Sequence, residues 1–247
     1  MSGHSKWSSI KHKKGIADQR RGAVYTKLAN LLTVAAKQGG GDPEMNFKLR
    51  LAITKAKAAN MPLTNIERAI KRATEAGDSS QVEEIMYEGY GPGGVAVLVE
   101  VATDNRNRTA PEVRSAFTKH GGSMGTSGSV AFLFDQKGVI NLKTSDVDQA
   151  TMDAIEAGAD DIEEDIGGVI VYTAANQLEA VRSKLSILGY DVDSAELAFI
   201  PKTTVAVSDA KTAGTLMRLM DALDELDDVA NTYANFDIPE EVMEATS

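Results

Sequence analysis

Apolar side chains at Val24, Leu28, Leu31, Leu32 and Ala35 follow the three-and-four spacing of a one-sided helix over about 18–38, which Gly39-Gly40-Gly41 ends. Asp42-Pro43-Glu44 then has the order of an N-cap, a first-turn proline and a dipole-compensating acid. It predicts a second helix burying Met45, Leu49, Ala52, Ile53 and Ala56, with Lys48, Arg50, Lys55 and Lys57 elsewhere on its surface. Thr64-Asn65-Ile66-Glu67 has the form of a capping box. The helix after it turns Ile66, Ala69, Ile70 and Ala73 inward and Arg68, Lys71 and Arg72 outward, with Gly77 as its stop. Residues 1–17 show no helical or strand period, so a three-helix domain preceded by a basic arm is expected.

Beyond about residue 82 the pattern changes. Ile85-Met86-Tyr87 leads to a glycine-rich turn and Val95–Thr103 is a continuous apolar strand. Thr109–Glu112 predicts the cap of a helix burying Val113, Ala116 and Phe117, and Val130–Phe134 a strand. A strand at Thr203–Val207, a helix from Ser208 to about Leu226 and a strand near Val229–Phe236 complete a β-α-β…β-α-β order. The intervening segment repeats that order: strand Gly138–Leu142, helix Ser145–Ala157, and a short acidic strand near Ile162. Strand Val169–Thr173, a helix through Leu178, Val181 and Leu185, and a strand through Leu197 and Phe199 follow. The fold class expected is α+β: an N-terminal three-helix domain followed by two ferredoxin-like α/β domains, one inserted in the other. The expected domains are 1–80, then 81–136 with 202–247, and the inserted 137–201.

Charge divides the chain the same way. The 247 residues carry a net −10, yet residues 1–80 hold 15 Lys/Arg against 6 Asp/Glu and the rest 11 against 30. A basic head on an acidic body points to a polyanion held at one end. Lys6, Lys11, Lys13 and Lys14 precede any acid, and Arg20, Arg21 and Lys27 continue the run. Trp7 among those lysines suits stacking on an unpaired base, or equally an anchor of the arm to the body. Within 138–200 there are 13 acids and 3 bases, densest at Asp160, Asp161, Glu163, Glu164 and Asp165. Without EF-hand spacing this is a solvated face, with a weak divalent-cation site or a dock for a basic protein as the alternatives.

Chemistry is mostly excluded. There is no cysteine, which removes thiolate metal sites and a thiol nucleophile. His4, His12 and His120 are the only histidines and have no ligand or nucleophile spacing, so no metal, no cofactor and no enzyme are expected. Gly89-Tyr90-Gly91-Pro92-Gly93-Gly94 matches a dinucleotide fingerprint by letters, but a strand follows where a helix should open. Gly121–Ser129 is a β-connection whose backbone N–H groups could also cradle an anion. Arg106 and Arg108 are the exposed basic element of the acidic body, placed to bind phosphate or to pair with acids of their own domain. No apolar run reaches a membrane span, and no hydrophobic signal core opens the chain; a cytoplasmic location is expected.

Six strings resemble the YebC family: GHSKW at 3–7, IKHKK at 10–14, YEGYGPGGVAVLVE at 87–100, TDNRNRT at 103–109, GTSGSVAFLF at 125–134 and AFIPKTTV at 198–205. They run in order through the whole chain. The resemblance implies three domains, and a cytoplasmic DNA-binding transcriptional regulator. It also implies kinship with the mitochondrial translational activator of cytochrome oxidase, and a link to ribosomes stalled at proline runs. It places the basic signature on Lys6, Trp7, Lys11, His12, Lys13 and Lys14. The expected function is therefore regulation of gene expression by binding nucleic acid: DNA as a transcriptional regulator, or ribosomal RNA as a translation factor. A scaffold binding a basic protein is the reading from another class.

Overall fold

A computed structural model describes residues 21–75 and 82–244. The chain forms two compact units, one of residues 134–202 and one of the segments on either side.

In the larger unit, α1 (Arg21–Gly39) packs against α2 (Phe47–Ala58) and α3 (Leu63–Glu75). Leu28, Leu32, Ala35, Leu49, Ala56, Ile66, Ala69 and Ala73 form the core, as the periodicity predicts. The expected caps move. The N-cap of α2 is Asn46, whose Oδ1 accepts from the Leu49 N–H at 3.1 Å. Its Nδ2 donates to the carbonyls of Ala35 and Gly40, both at 2.7 Å, so one buried amide joins the end of α1 to the start of α2. Asp42 instead closes the turn before it, accepting from the Glu44 N–H, and Met45 is 83% exposed rather than buried. A Cβ on Gly39 would lie 2.7 Å from the Asn46 amide, so glycine is required there by space. The expected capping box of α3 does not form, because Thr64 already lies in the first turn. The Pro62 carbonyl accepts from the Asn65 and Ile66 N–H groups. The stop at Gly77 lies outside the described residues.

The chain continues into β1 (Glu83–Tyr90) and β2 (Ala96–Thr103), a hairpin in which Tyr87 faces Val99. Next come α4 (Arg106–Lys119) and β3 (Ser123–Met124). After the inserted unit, β8 (Val205–Ala206), α7 (Ala210–Asp224), β9 (Val229–Ala234), β10 (Phe236–Asp237) and α8 (Glu240–Glu244) complete it. The sheet order is β3-β1-β2-β9. Val95, Val97, Val99 and Val101 meet Val113 and Phe117 of α4 and Leu216, Leu219 and Met220 of α7. Ala102 on the opposite face meets Leu31 and Val34 of α1, so β2 is covered on both sides. One connection departs from the expected order: β1 occupies the place beside β2, and β8 pairs parallel with β10 in a separate two-stranded sheet.

The inserted unit is β4 (Phe134–Lys143), α5 (Val147–Ala157), β5 (Asp161–Asp165), β6 (Gly168–Ala174), α6 (Leu178–Ile187) and β7 (Asp191–Pro201). Its antiparallel sheet, ordered β5-β6-β4-β7, is ferredoxin-like. Val130–Phe134 is not a strand: Ala131–Leu133 is a 3-10 turn, and the ladder begins where Phe134 meets Pro201. The donors that a strand would use at Val130 and Ala131 are already taken by a carboxylate of β1.

Candidate nucleic-acid interface

Of the candidate residues singled out in the sequence, Lys6, Trp7, Lys11, His12, Lys13, Lys14 and Arg20 lie outside the described residues, and Arg21 opens α1. The Lys27 ammonium donates to the Asp224 carbonyl at the C-terminal end of α7, a favourable place for a cation. It fastens α1 to the sheet domain. Lys55 donates to Asn231 Oδ1 at 3.2 Å in the same seam. Arg50 is spent on the carbonyls of Pro43 and Glu44 and on the Phe47 ring. Lys57, Arg68 and Arg72 on α2 and α3 are exposed and have no intramolecular partner among the described residues.

The arginine segment is no loop. Asn105 caps α4, its Oδ1 accepting from the Arg108 N–H at 3.2 Å, so the helix opens at Arg106 rather than at Thr109. Arg108 turns back onto its own domain. Its Nη2 donates to Asp228 at 2.7 Å and to Asp104 at 3.3 Å. Asp228 is buried, and the hydroxyls of Thr103 (2.9 Å) and Thr109 (2.6 Å) donate to the same oxygen. Burial pushes its carboxyl up, but those hydroxyls and Arg108 together hold it below the ordinary value of 3.8. In this structure Arg108 thus pairs within its own domain. Arg106 is exposed on the first turn of α4.

The glycine-rich stretch after α4 does cradle an anion, an internal one. The buried Glu88 carboxylate accepts from the N–H groups of Gly128 (2.6 Å), Val130 (2.7 Å) and Ala131 (2.8 Å). Burial again works against ionisation, and the three backbone donors outweigh it, leaving the carboxyl below its usual range. Asp228 and Glu88 both escaped the sequence reading, because neither has a local signal that separates it from a surface acid. An open cleft of about 410 Å³ lies between α4 and the end of α7. Glu112, Ser115 and His120 line it without hydrogen bonds to one another. Among the described residues no group of three or more acids and histidines is arranged to hold a metal ion, and no helix is long and apolar enough to cross a membrane.

Two family descriptions match the chain: "TACO1/YebC protein N-terminal domain" over residues 5–76 and "TACO1/YebC second and third domain" over residues 82–236. A protein of Trichlorobacter lovleyi is 55% identical over 245 residues, covering 99% of each chain. One of Persephonella marina is 52% identical over 250 residues, covering 100% of each. Both bear the name "Probable transcriptional regulatory protein". The crystal structure of a conserved hypothetical protein from Aquifex aeolicus is 47% identical, with a TM-score of 0.87, over 95% of this chain and 97% of that one. The chain belongs to the TACO1/YebC family. In this TACO1/YebC protein three of the signature strings are structural knots. YEGYG supplies the Glu88 carboxylate and GTSGSVA its three donors. TDNRNRT supplies the cap and the partners of Asp228.

Proposed function

We propose that this protein regulates gene expression as a cytoplasmic, non-catalytic transcriptional regulator that holds DNA through residues 1–80, the arm and the three-helix domain. The observation that carries the reading is a difference in how cations are used. All five Lys/Arg of residues 134–202 are engaged: Lys137 with Asp160, Lys143 with Asp193, Arg182 with Glu179, Lys184 with the Ala157 carbonyl and Lys202 with Asp135. Lys57, Arg68 and Arg72 of the helical domain are left facing solvent, and the sequence before that domain adds four more lysines at 6–14. Unpaired cations release counterions when a phosphate replaces them; paired ones gain little. The names of the relatives support the regulatory class.

A second reading, RNA at the ribosome, draws on the connection between α1 and α2. Residues 40–46 turn around the buried Asn46 and do not make the tight turn of a helix-turn-helix, so α1 and α2 do not form that motif. Crosslinking in cells, followed by sequencing of bound DNA and RNA, separates the two. Enrichment of promoter DNA supports transcription; ribosomal RNA without promoter DNA overturns it in favour of translation.

A further inference from the structure

Within residues 134–202 the chain crosses in and out at one end, where Phe134 pairs with Pro201. The β4–α5, β5–β6 and α6–β7 turns therefore gather at the opposite end. Two of these turns are joined, the Thr144 N–H donating to the Gly167 carbonyl at 3.1 Å, and the third is tied to the body of α5 by the Tyr190 hydroxyl, which donates to Asp153. That end exposes three large aliphatic side chains, Ile166 at 82%, Ile187 at 84% and Leu188 at 58%. Single exposed aliphatics are ordinary, but three at one end of a small unit, within a polar rim, mark a contact surface.

The rim decides what can dock. Asp146, Asp148 and Asp191 are exposed around it, and Lys143, the cation at this end, is already paired with Asp193. A polyanion would meet carboxylates with no unpaired cation of the described residues at this end to receive it. A segment carrying both lysines or arginines and aliphatic side chains matches the surface on both counts. We propose that this end of the inserted unit docks a basic, aliphatic-bearing segment of a partner protein. The surface is independent of whatever the helical domain holds.

The full chain is titrated with two peptides of about 14 residues, a helix of ~21 Å. One carries lysines and leucines on a single face; the other has equal charge with serines replacing the leucines. Fluorescence anisotropy at physiological salt and amide chemical shifts report binding. The lysine–leucine peptide should bind saturably and shift amides around 144–146, 166–167 and 187–191. Ile166→Ser with Ile187→Ser and Leu188→Ser should weaken it about tenfold, roughly 1.4 kcal/mol, with an unchanged melting temperature. Equal binding of the two peptides, no saturable binding, or shifts spread over the whole acidic surface would each overturn the proposal. So would an RNA or DNA oligonucleotide that shifts the same amides, or self-association in sedimentation abolished by the triple substitution.

Discussion

Asp228 gathers three donors on one oxygen while Arg108, half exposed, is only one of them. Asp228→Ala would remove the acceptor that Thr103, Thr109 and Arg108 share, leaving the two buried hydroxyls only each other and the Asn105 carbonyl, and should cost about 2–3 kcal/mol. Arg108→Ala leaves the carboxylate its two hydroxyls and should cost about 1–2 kcal/mol. Urea denaturation ranks the two. If Arg108 holds nucleic acid rather than Asp228, Arg108→Ala will weaken binding while leaving the urea midpoint in place. Glu88 behaves similarly but through backbone donors. Its folded carboxyl titrates below the unfolded value of 4.5, so the stability it adds is complete above that value and lost as pH falls through the folded one. Glu88→Gln should therefore destabilise at neutral pH by about 1–3 kcal/mol. The gap from the parent should close in melts taken at progressively lower pH below ~4.5. A gap independent of pH would assign the loss to shape rather than charge. Neither residue was legible beforehand, since the partners of Asp228 lie more than a hundred positions away and those of Glu88 about forty. Sequence spacing reports what falls on one helix face or one strand, and nothing of carboxylates closed by tertiary contact.

At the level of elements the periodic stripes placed nearly every helix and strand, because burial of one face is what apolar spacing encodes. Starts were less visible. Asp42 and Asn46 are both cap formers four positions apart, and the choice fell to Asn46 because only an amide can also donate to Ala35 and Gly40. The strand expected at Val130–Phe134 failed for a related reason: its donors were claimed by Glu88. The seam between the helical domain and the sheet gives a further case. Glu100 of β2 accepts from Asn231 at 2.7 Å and Tyr233 at 3.0 Å and neighbours the Glu84 carboxyl of β1. Glu84 in turn accepts from Gln38 of α1 at 2.8 Å and faces Lys48 of α2 at 3.7 Å. Burial and the neighbouring Glu84 push the Glu100 carboxyl up. Despite its own burial Glu84 is pulled down, by Gln38, Glu100 and Lys48. A raised carboxyl contributes stability in full below 4.5 and loses it as pH rises through the folded value; Glu84 does the reverse. Glu100→Gln keeps a donor toward Glu84 without that loss. Its melting temperature should gain on the parent as pH rises from ~4.5 toward neutral. A constant difference across that range would show that the pair does not share a proton.

Across the whole molecule the question is how a chain of net −10 holds a polyanion. At physiological salt the Debye length is about 8 Å, so carboxylates farther than that from the bound phosphates are largely screened, and local charge decides. If the arm and helical domain together neutralise roughly six phosphates of duplex DNA, log affinity should fall with log salt at a slope of about −5. The contribution of the helices can be separated from that of the arm. Lys57→Ser, Arg68→Ser and Arg72→Ser change side chains that have no partner among the described residues, so thermal stability should hold within about 0.5 kcal/mol. If all three meet phosphate, the slope should shrink by about three, and affinity at low salt should fall for every sequence alike. Deleting residues 1–20 should remove most of the remainder while the two compact units keep their melting behaviour. A triple variant whose slope stays at the parent value confines the grip to the arm and makes these three helical cations ordinary solvated charge. A truncated chain that retains full affinity would place the grip on the helices instead.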